Sequence, residues 1–301
     1  MPVLDAGLTG QEESSLLQQR RGKTFFPACA NTRCLSGWLH VWRSRTVPVV
    51  EGGWLCSPGC TRVRLAELIH RERTEHTQTA GVHRHRVPIG LVLLTEGWIS
   101  RDQLRRGLSA QKAGDSVRLG NWLIENCGLE ERRVTQALSI QWNCPILAID
   151  KAHKAPMISI VPRLFLETFG CVPLRLSATG ILYIAFEDRI DHSLTLAIER
   201  MSGLRVEAGL VNGSEFRHAH AAILAARFPR ARIVEASNVE AMIDALTAII
   251  EKDKPQQARI VRVHGSYWLR VWKGSGSLES EQYRHASRGV EDVICSLARF
   301  Q

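Results

Sequence analysis

The chain lacks the segments and motifs that define several large protein classes. No apolar run approaches the roughly 20 residues of a membrane-spanning helix, and no hydrophobic signal segment opens the chain. The phosphate-cradling motif G-x-x-x-x-G-K-[ST] is absent, as are H-E-x-x-H and any prominent pair of carboxylates. The Gly-Ser segment at 274–277 is no nucleophile elbow, because no strand-turn-helix pattern surrounds its serines. We therefore expect a cytoplasmic binding protein without membrane insertion, and not an enzyme.

The composition is that of a globular protein with an excess of basic residues. With 301 residues, of which 45% are hydrophobic, the chain can bury substantial cores, and its length predicts about two or three domains. A net charge of +9 favours an acidic partner, but it does not choose among nucleotide, nucleic acid and acidic protein. Eight cysteines without an export signal favour reduced thiols or metal over disulfides.

Four of the cysteines have the spacing of a metal site. Residues 1–24 are polar and predict a disordered tail, whereas residues 25–75 predict a zinc module. Cys29 and Cys34 are separated by four residues, Cys56 and Cys60 by three, and a hairpin pattern turning at Gly52 and Gly53 lies between the pairs. A helical pattern follows Cys60, which is the order of a treble-clef site. Four thiolates would make the zinc structural, because no position stays open for water.

Other interpretations of this N-terminal region stay open. The four cysteines could be buried free thiols, and His40 is an alternative ligand. A group of aromatic and basic residues could form the core of the module or a nucleic-acid-binding face: Trp38, Trp42, Arg43 and Arg45. The histidines between 71 and 87 lack a regular ligand spacing and favour a solvated linker, which we place at 76–86.

One pattern occurs twice, at an offset of 30 residues. The first copy is PIGLVLLTEGWISRDQLRRGLSAQ at 88–111, and the second is RLGNWLIENCGLEERRVTQALSIQ at 118–141. Each copy predicts two short helices around a break, with Ser100 and Gln103 as a capping box in the first. In the second copy Gly128 lies one place later than Gly97 would predict. Since neither helix pair could bury its apolar face alone, the copies predict a four-helix unit with pseudo-twofold symmetry.

This repeat resembles the twin motif of the MshE-type N-terminal domain, which precedes type II secretion and type IV pilus assembly ATPases and binds cyclic di-GMP. The resemblance covers about 140 residues and places the domain at 87–226. The first copy departs from it, with Pro88 where the family has arginine and a spacer one residue longer, and Arg86 is an alternative source of a guanidinium. The resemblance implies these ligand-binding residues: Ile89, Gly90, Leu104, Leu108, Gln111, Arg118, Leu119, Gly120, Val134, Leu138 and Gln141.

The chemistry of these residues suits a nucleotide. A guanidinium such as that of Arg118 offers a planar fork of donors to a phosphate or to the acceptor edge of guanine. A glycine directly after it lets a ligand approach the backbone, leucines can cover ribose and base, and the glutamines can donate and accept hydrogen bonds.

Overall, the sequence predicts an α+β protein. A small zinc module precedes the duplicated helix pairs, which are followed by an α+β layer with strands at 171–176, 181–186 and 204–211. A further small α+β segment at 230–301 resembles no family that we identify; in it we predict a strand at 232–235, a helix at 238–251, a hairpin from 258 to 272 and a final helix at 290–297.

Three functions fit these observations. The first is a regulatory or adaptor protein that senses cyclic di-GMP, with proteins of a secretion or pilus machinery as partners. The second is a protein-protein docking module in which the nucleotide site has lapsed. The third, least favoured, is a zinc-dependent nucleic-acid binder.

Overall fold

The computed structural model describes residues 28–35, 46–79, 86–113, 117–149, 156–273 and 289–298. Over these ranges the chain is a mixed α+β protein with two sheets. The helices are α1 (Pro58–Thr79), α2 (Ile89–Thr95), α3 (Arg101–Lys112), α4 (Leu119–Cys127), α5 (Glu131–Trp142), α6 (Arg163–Phe169), α7 (His192–Ser202), α8 (Gly213–Leu224) and α9 (Val239–Asp253). The strands are β1 (Val49–Val50), β2 (Gly53–Trp54), β3 (Cys171–Leu176), β4 (Ile181–Phe186), β5 (Arg205–Leu210), β6 (Ala231–Ala236), β7 (Gln257–Val263), β8 (Ser266–Trp272) and β9 (Val290–Leu297). None of the helices in these ranges combines the length and apolar character needed to cross a membrane.

The repeated sequence forms two successive helix pairs, as its pattern predicts. Helices α3 and α5 are each 12 residues long and begin 30 residues apart. Helices α2 and α4 also begin 30 residues apart. The predicted capping box is confirmed: Ser100 Oγ accepts from the Gln103 backbone N–H at 3.2 Å, and Gln103 Oε1 accepts from the Ser100 N–H at 2.7 Å. The displaced glycine is explained because α4 is longer than α2: it ends at Cys127 and has Gly128, with a left-handed φ of 64°, as its C-cap.

The two copies pack across each other. Helix α2 of the first copy contacts α5 of the second, and α3 contacts α4. Their common core contains leucines at equivalent positions of the repeat, Leu93 and Leu123, both with no exposed surface. Each helix pair therefore buries its apolar face mainly against the other copy.

A three-stranded sheet follows the helical unit. Strands β3 and β4 are antiparallel, and β5 is parallel to β4 with α7 as the crossover helix. The predicted bounds of β3 and β4 are confirmed, and Asp191 caps α7 by accepting from the Leu194 N–H at 3.0 Å. Residues 146 and 210 form an isolated bridge that joins the chain after α5 to β5.

The second sheet unites the two ends of the described chain. Its strand order is β2-β1-β7-β8-β9-β6, so that N-terminal strands lie in one sheet with C-terminal ones. Side chains alternate between its faces: Tyr267, Leu269 and Val271 face a core shared with α1 and α9. Trp268 and Ile294 face the opposite core, which contains α6 and α7. The segments that the sequence predicts as two units, 25–75 and 230–301, thus contribute to one sheet with helices against both faces.

Three local predictions are corrected by the structure. The predicted final helix at 290–297 is the strand β9, which lies between β8 and β6. Helix α1 continues to Thr79, four residues into the predicted linker at 76–86, and buries Glu72. The β1–β2 hairpin turns at Glu51 and Gly52, one residue earlier than predicted. His40 and the Trp38–Arg45 group lie outside the described residues.

Candidate ligand and metal sites

A cavity of about 360 Å³ opens where the two copies of the repeat meet. It is formed by the beginning of α2, one side of α3 and the beginning of α4. Seven of the eleven predicted ligand-binding residues line it: Ile89, Gly90, Leu104, Leu108, Gln111, Arg118 and Leu119. The other four, Gly120, Val134, Leu138 and Gln141, lie in α4 and α5 outside this lining.

The two glutamines make equivalent contacts across the repeat. Gln111 Nε2, at the end of the first copy, donates to the Val117 carbonyl at 3.2 Å, just before the second copy begins. Gln141 Nε2, at the end of the second copy, donates to the Val87 carbonyl at 2.7 Å, just before the first begins. Each glutamine thereby fixes the entry to the other copy's first helix, which places both copies around one pseudo-twofold axis.

Close packing explains the glycine of each copy. A Cβ at Gly90 would lie 2.6 Å from Leu104 Cδ1, and a Cβ at Gly120 would lie 2.7 Å from Val134 Cγ1. Both distances are shorter than van der Waals contact, so each glycine lets the second helix of its own copy approach the first.

Proline at position 88 changes the side chain but not the backbone path. Pro88 has φ −56° and ψ 136°, and Arg118 at the equivalent N-cap has φ −64° and ψ 144°. Proline is compatible with this conformation, and a helix start needs no N–H there. The chain therefore enters α2 and α4 along equivalent paths, with an arginine side chain only at the start of α4. The Arg86 guanidinium, two residues earlier, lies over the Trp142 ring with its Cζ 3.4 Å from the ring centroid.

Arg118 has an acidic partner that the repeat does not reveal. It forms an ion pair with Asp188, in the loop between β4 and α7, while 69% of its side chain remains exposed. An anionic ligand at Arg118 must therefore compete with this carboxylate. The sequence signal for Asp188 is weak, because it is only an acidic residue following a predicted strand.

Apolar side chains border the same cavity without being covered. Leu91 is 47% exposed and Leu108 is 43% exposed, although both are large hydrophobic residues. Next to Arg118 they form a surface that is apolar with one charged group, which is a common composition of small-molecule sites.

The four N-terminal cysteines converge. The Sγ atoms of Cys29, Cys34, Cys56 and Cys60 all lie within 4.8 Å of one another. The Cys34–Cys56 and Cys56–Cys60 sulfur distances are 3.6 and 3.5 Å. Tetrahedral zinc with Zn–S bonds of about 2.3 Å separates its sulfurs by about 3.8 Å. The cluster could therefore hold zinc.

The surroundings of the cluster favour a thiolate at Cys60. Burial opposes ionisation of this thiol, but hydrogen bonds from the Ser57 hydroxyl and from Asn31 outweigh it and lower the pKa of Cys60 to about 7. Asn31 is itself buried and donates its Nδ2 to Cys60 Sγ at 3.3 Å. Burial raises the pKa of Cys29 and of Cys56. Such a donor to a ligating sulfur is typical of the groups that surround metal ligands.

Local structure positions each cysteine pair. The first pair lies in the segment before β1, where the Ala30 N–H donates to the Trp54 carbonyl at 2.7 Å. The second pair flanks the beginning of α1, and Ser57 accepts from the Cys60 N–H at 3.3 Å. Gly53 permits the approach of the two segments, because any side chain there would collide with Ala30.

Comparison with solved structures finds a partial likeness. A structure of MshE with cdg is similar over 46% of this chain and 99% of that one, at 24% sequence identity and a TM-score of 0.39. Two crystal forms of the N-terminal domain of XpsE are similar at 19% and 18% identity, with TM-scores of 0.33 and 0.26. Each covers 44% of this chain, and 91% and 92% of the XpsE chains are matched. No family model and no curated protein matches the chain.

Proposed function

We propose that this chain is a non-enzymatic regulatory or adaptor protein that binds cyclic di-GMP. The ligand would occupy the cavity of about 360 Å³ between the two copies of the repeat, which we call the twin-motif cavity. The observation that carries the proposal is the convergence of motif residues from both copies on one cavity, with Arg118 at its edge. The identity of the ligand rests on the sequence resemblance of the repeat to the twin motif of the MshE-type domain.

The cavity chemistry supports a ligand with apolar faces and anionic groups. Leu104, Leu108 and Leu119 offer aliphatic surface to a base or ribose. Arg118 supplies a planar set of donors to a phosphate or to guanine. Binding there would exchange the Asp188 ion pair for contacts with the ligand.

Pro88 should lower the affinity of this cavity for cyclic di-GMP without abolishing binding. Loss of one charge-assisted hydrogen bond costs about 1.5–3 kcal/mol, or roughly ten- to a hundredfold in affinity. The backbone at Pro88 matches that at Arg118, so we expect the other ligand contacts to form. We expect binding at micromolar concentration, weaker than for a site with two arginines.

The test is calorimetric titration of the purified chain with cyclic di-GMP, with GTP as competitor. Arg118→Ala should abolish measurable binding, because it removes the cavity's charged donor. Arg105→Ala is the matched control, since Arg105 lies on α3, is 76% exposed and pairs only locally with Asp102 among the described residues. Equal affinity of the Arg118→Ala variant and the parent chain would contradict the proposal, as would displacement by GTP at equal concentration.

A second candidate is a docking module whose nucleotide site has lapsed. Pro88 in place of arginine and the exposed Leu91 and Leu108 favour it, because they leave an apolar surface with reduced charge. Under this alternative the titration gives no heat at high micromolar cyclic di-GMP. The expected partners are then proteins of a secretion or pilus machinery, which dock through the same surface.

We also propose that the four cysteines hold a structural zinc ion. The support is the sulfur geometry together with the buried Asn31 donor. Four protein ligands would leave no position for a substrate or water, so the metal's contribution would be to stability.

A further inference from the structure

A second cavity, of about 540 Å³, lies where the β1–β2 turn, α1, the end of α7 and β7 meet. It shares no lining residue with the twin-motif cavity. Three of its lining residues are arginines from three different helices and strands: Arg71 of α1, Arg200 of α7 and Arg259 of β7.

Two of these arginines have carboxylate partners. Arg71 binds Glu51 through both terminal nitrogens, at 2.8 and 3.1 Å, and reaches Glu72 at 2.9 Å. Arg200 Nη2 binds the same Glu72 oxygen at 2.8 Å. Glu72 is buried, with 2% of its side chain exposed. Two carboxylates therefore neutralise the first two guanidinium groups.

The third arginine has no carboxylate to neutralise it among the contacts of the described residues. Arg259 Nη1 donates to the carbonyl oxygens of Arg200 and Met201, at 3.3 and 3.2 Å, in the last turn of α7. Helix-end carbonyls together carry only about half an elementary charge. The cavity therefore has an excess of positive charge.

The rest of the lining favours a compact polar ligand. Gln257 contributes an amide, Val261 is the single aliphatic residue, and no aromatic side chain is among the described residues that line the cavity. A nucleobase would find no aromatic side chain to stack on among these residues, whereas guanidinium groups match the oxygens of phosphate groups. We propose that this cavity binds a small phosphate-class anion, and that the bound anion links the β1–β2 turn, α1 and α7.

The probe is inorganic pyrophosphate, added to the full chain in thermal unfolding and in calorimetry at constant ionic strength. Pyrophosphate should raise the unfolding temperature saturably, whereas sodium chloride of equal ionic strength should not. Arg259→Gln should weaken the apparent affinity about tenfold or more, because a charge-assisted hydrogen bond is lost. Gln257→Glu keeps all three arginines but adds a negative charge to the cavity, and it should weaken pyrophosphate binding similarly.

Two controls separate this site from the twin-motif cavity. Arg105 and Arg118 are not among the residues that line the second cavity. The variants Arg105→Gln and Arg118→Ala should therefore leave pyrophosphate binding unchanged. If Arg118→Ala abolishes pyrophosphate binding, the anion occupies the other cavity and the inference is overturned. It is also overturned if Gln257→Glu binds as the parent chain does, or if chloride reproduces the stabilisation. Gln257→Glu decides the matter if Arg259→Gln does not fold.

Discussion

Two glycines in equivalent positions of the repeat differ in what surrounds them. Gly90 faces the end of the flexible Leu104 side chain, whereas Gly120 faces the γ-carbon of Val134. Valine in a helix has essentially one χ1 rotamer, so Val134 cannot rotate away from an added methyl group. Leu104 borders the open twin-motif cavity and can rotate into it.

This difference predicts different consequences for the stability of the two alanine variants. Gly120→Ala should lower the free energy of unfolding by up to about 2 kcal/mol, because an overpacking cost of about 1–3 kcal/mol exceeds the gain in helix propensity of about 1 kcal/mol. Gly90→Ala should leave stability nearly unchanged but reduce cyclic di-GMP affinity, since the displaced Leu104 fills the cavity. Urea unfolding of both variants measures the first effect. A Gly120→Ala variant as stable as the parent chain would show that α4 and α5 can separate freely.

The position of Asp188 shows what the sequence could not predict about the site. The repeat identifies residues that lie within its own helices, because their spacing recurs after 30 residues. Asp188 comes from the β4–α7 loop, and only the packing of the α+β layer beside α4 brings it to Arg118. The cavity lined by three arginines could not be predicted from the sequence either, because its residues are far apart in the chain and only the fold brings them together.

At the level of helices and strands, local signals predicted boundaries well where a cap or a tight turn determines them. Asp191 and Asn238 begin α7 and α9 by accepting hydrogen bonds from backbone N–H groups, as their sequence positions suggest. The apolar residues of the strand β9 are spaced as in a helix and therefore predict one: Val290, Val293, Ile294 and Leu297. A strand covered on both faces need not alternate, so its periodicity carries no signal.

The four-cysteine module gives a prediction at the same scale. The strands β1 and β2 have two residues each, and β1 pairs with β7 through a single register position, so backbone hydrogen bonds alone hold them weakly. If zinc binds the four cysteines, it crosslinks the segment before β1 to the start of α1, on the two sides of this hairpin in the sequence. Removing zinc with a chelator should therefore lower the unfolding temperature, and elemental analysis should find one zinc per chain before removal.

The control for zinc removal is a cysteine outside the cluster. Cys34→Ser should reproduce the effect of the chelator, because it removes one of four ligands. Cys127 lies in α4 and is not one of the four clustered cysteines, so the Cys127→Ser variant should keep its zinc. Full zinc content in the Cys34→Ser variant would contradict a four-cysteine site.

For the whole molecule, the six-stranded sheet separates two cores and belongs to both. One core joins it to α1 and α9, and the other joins it to α6 and α7 of the central segment. A buried ion pair lies on the second side: Asp292 of β9 accepts from Arg270 of β8 at 2.6 and 2.9 Å. Arg270 also donates to the Ile160 carbonyl at 2.9 Å, which connects the sheet to the segment before α6.

This arrangement predicts that the sheet and the α6–α7 segment unfold together, although the sequence suggests separate domains. Asp292→Asn leaves the Arg270 guanidinium buried without a counter-ion, which typically costs about 3–5 kcal/mol. Arg270 contacts both the sheet and the Ile160 segment. Loss of its counter-ion should therefore shift the unfolding transitions seen by tryptophan fluorescence and by far-ultraviolet circular dichroism to the same lower denaturant concentration. Asp102→Asn is the control, since its ion pair with Arg105 is exposed and should change stability by less than about 0.5 kcal/mol. Two separated transitions, with only one displaced in Asp292→Asn, would mean that the sheet folds independently of the central segment and that the shared core contributes little to its stability.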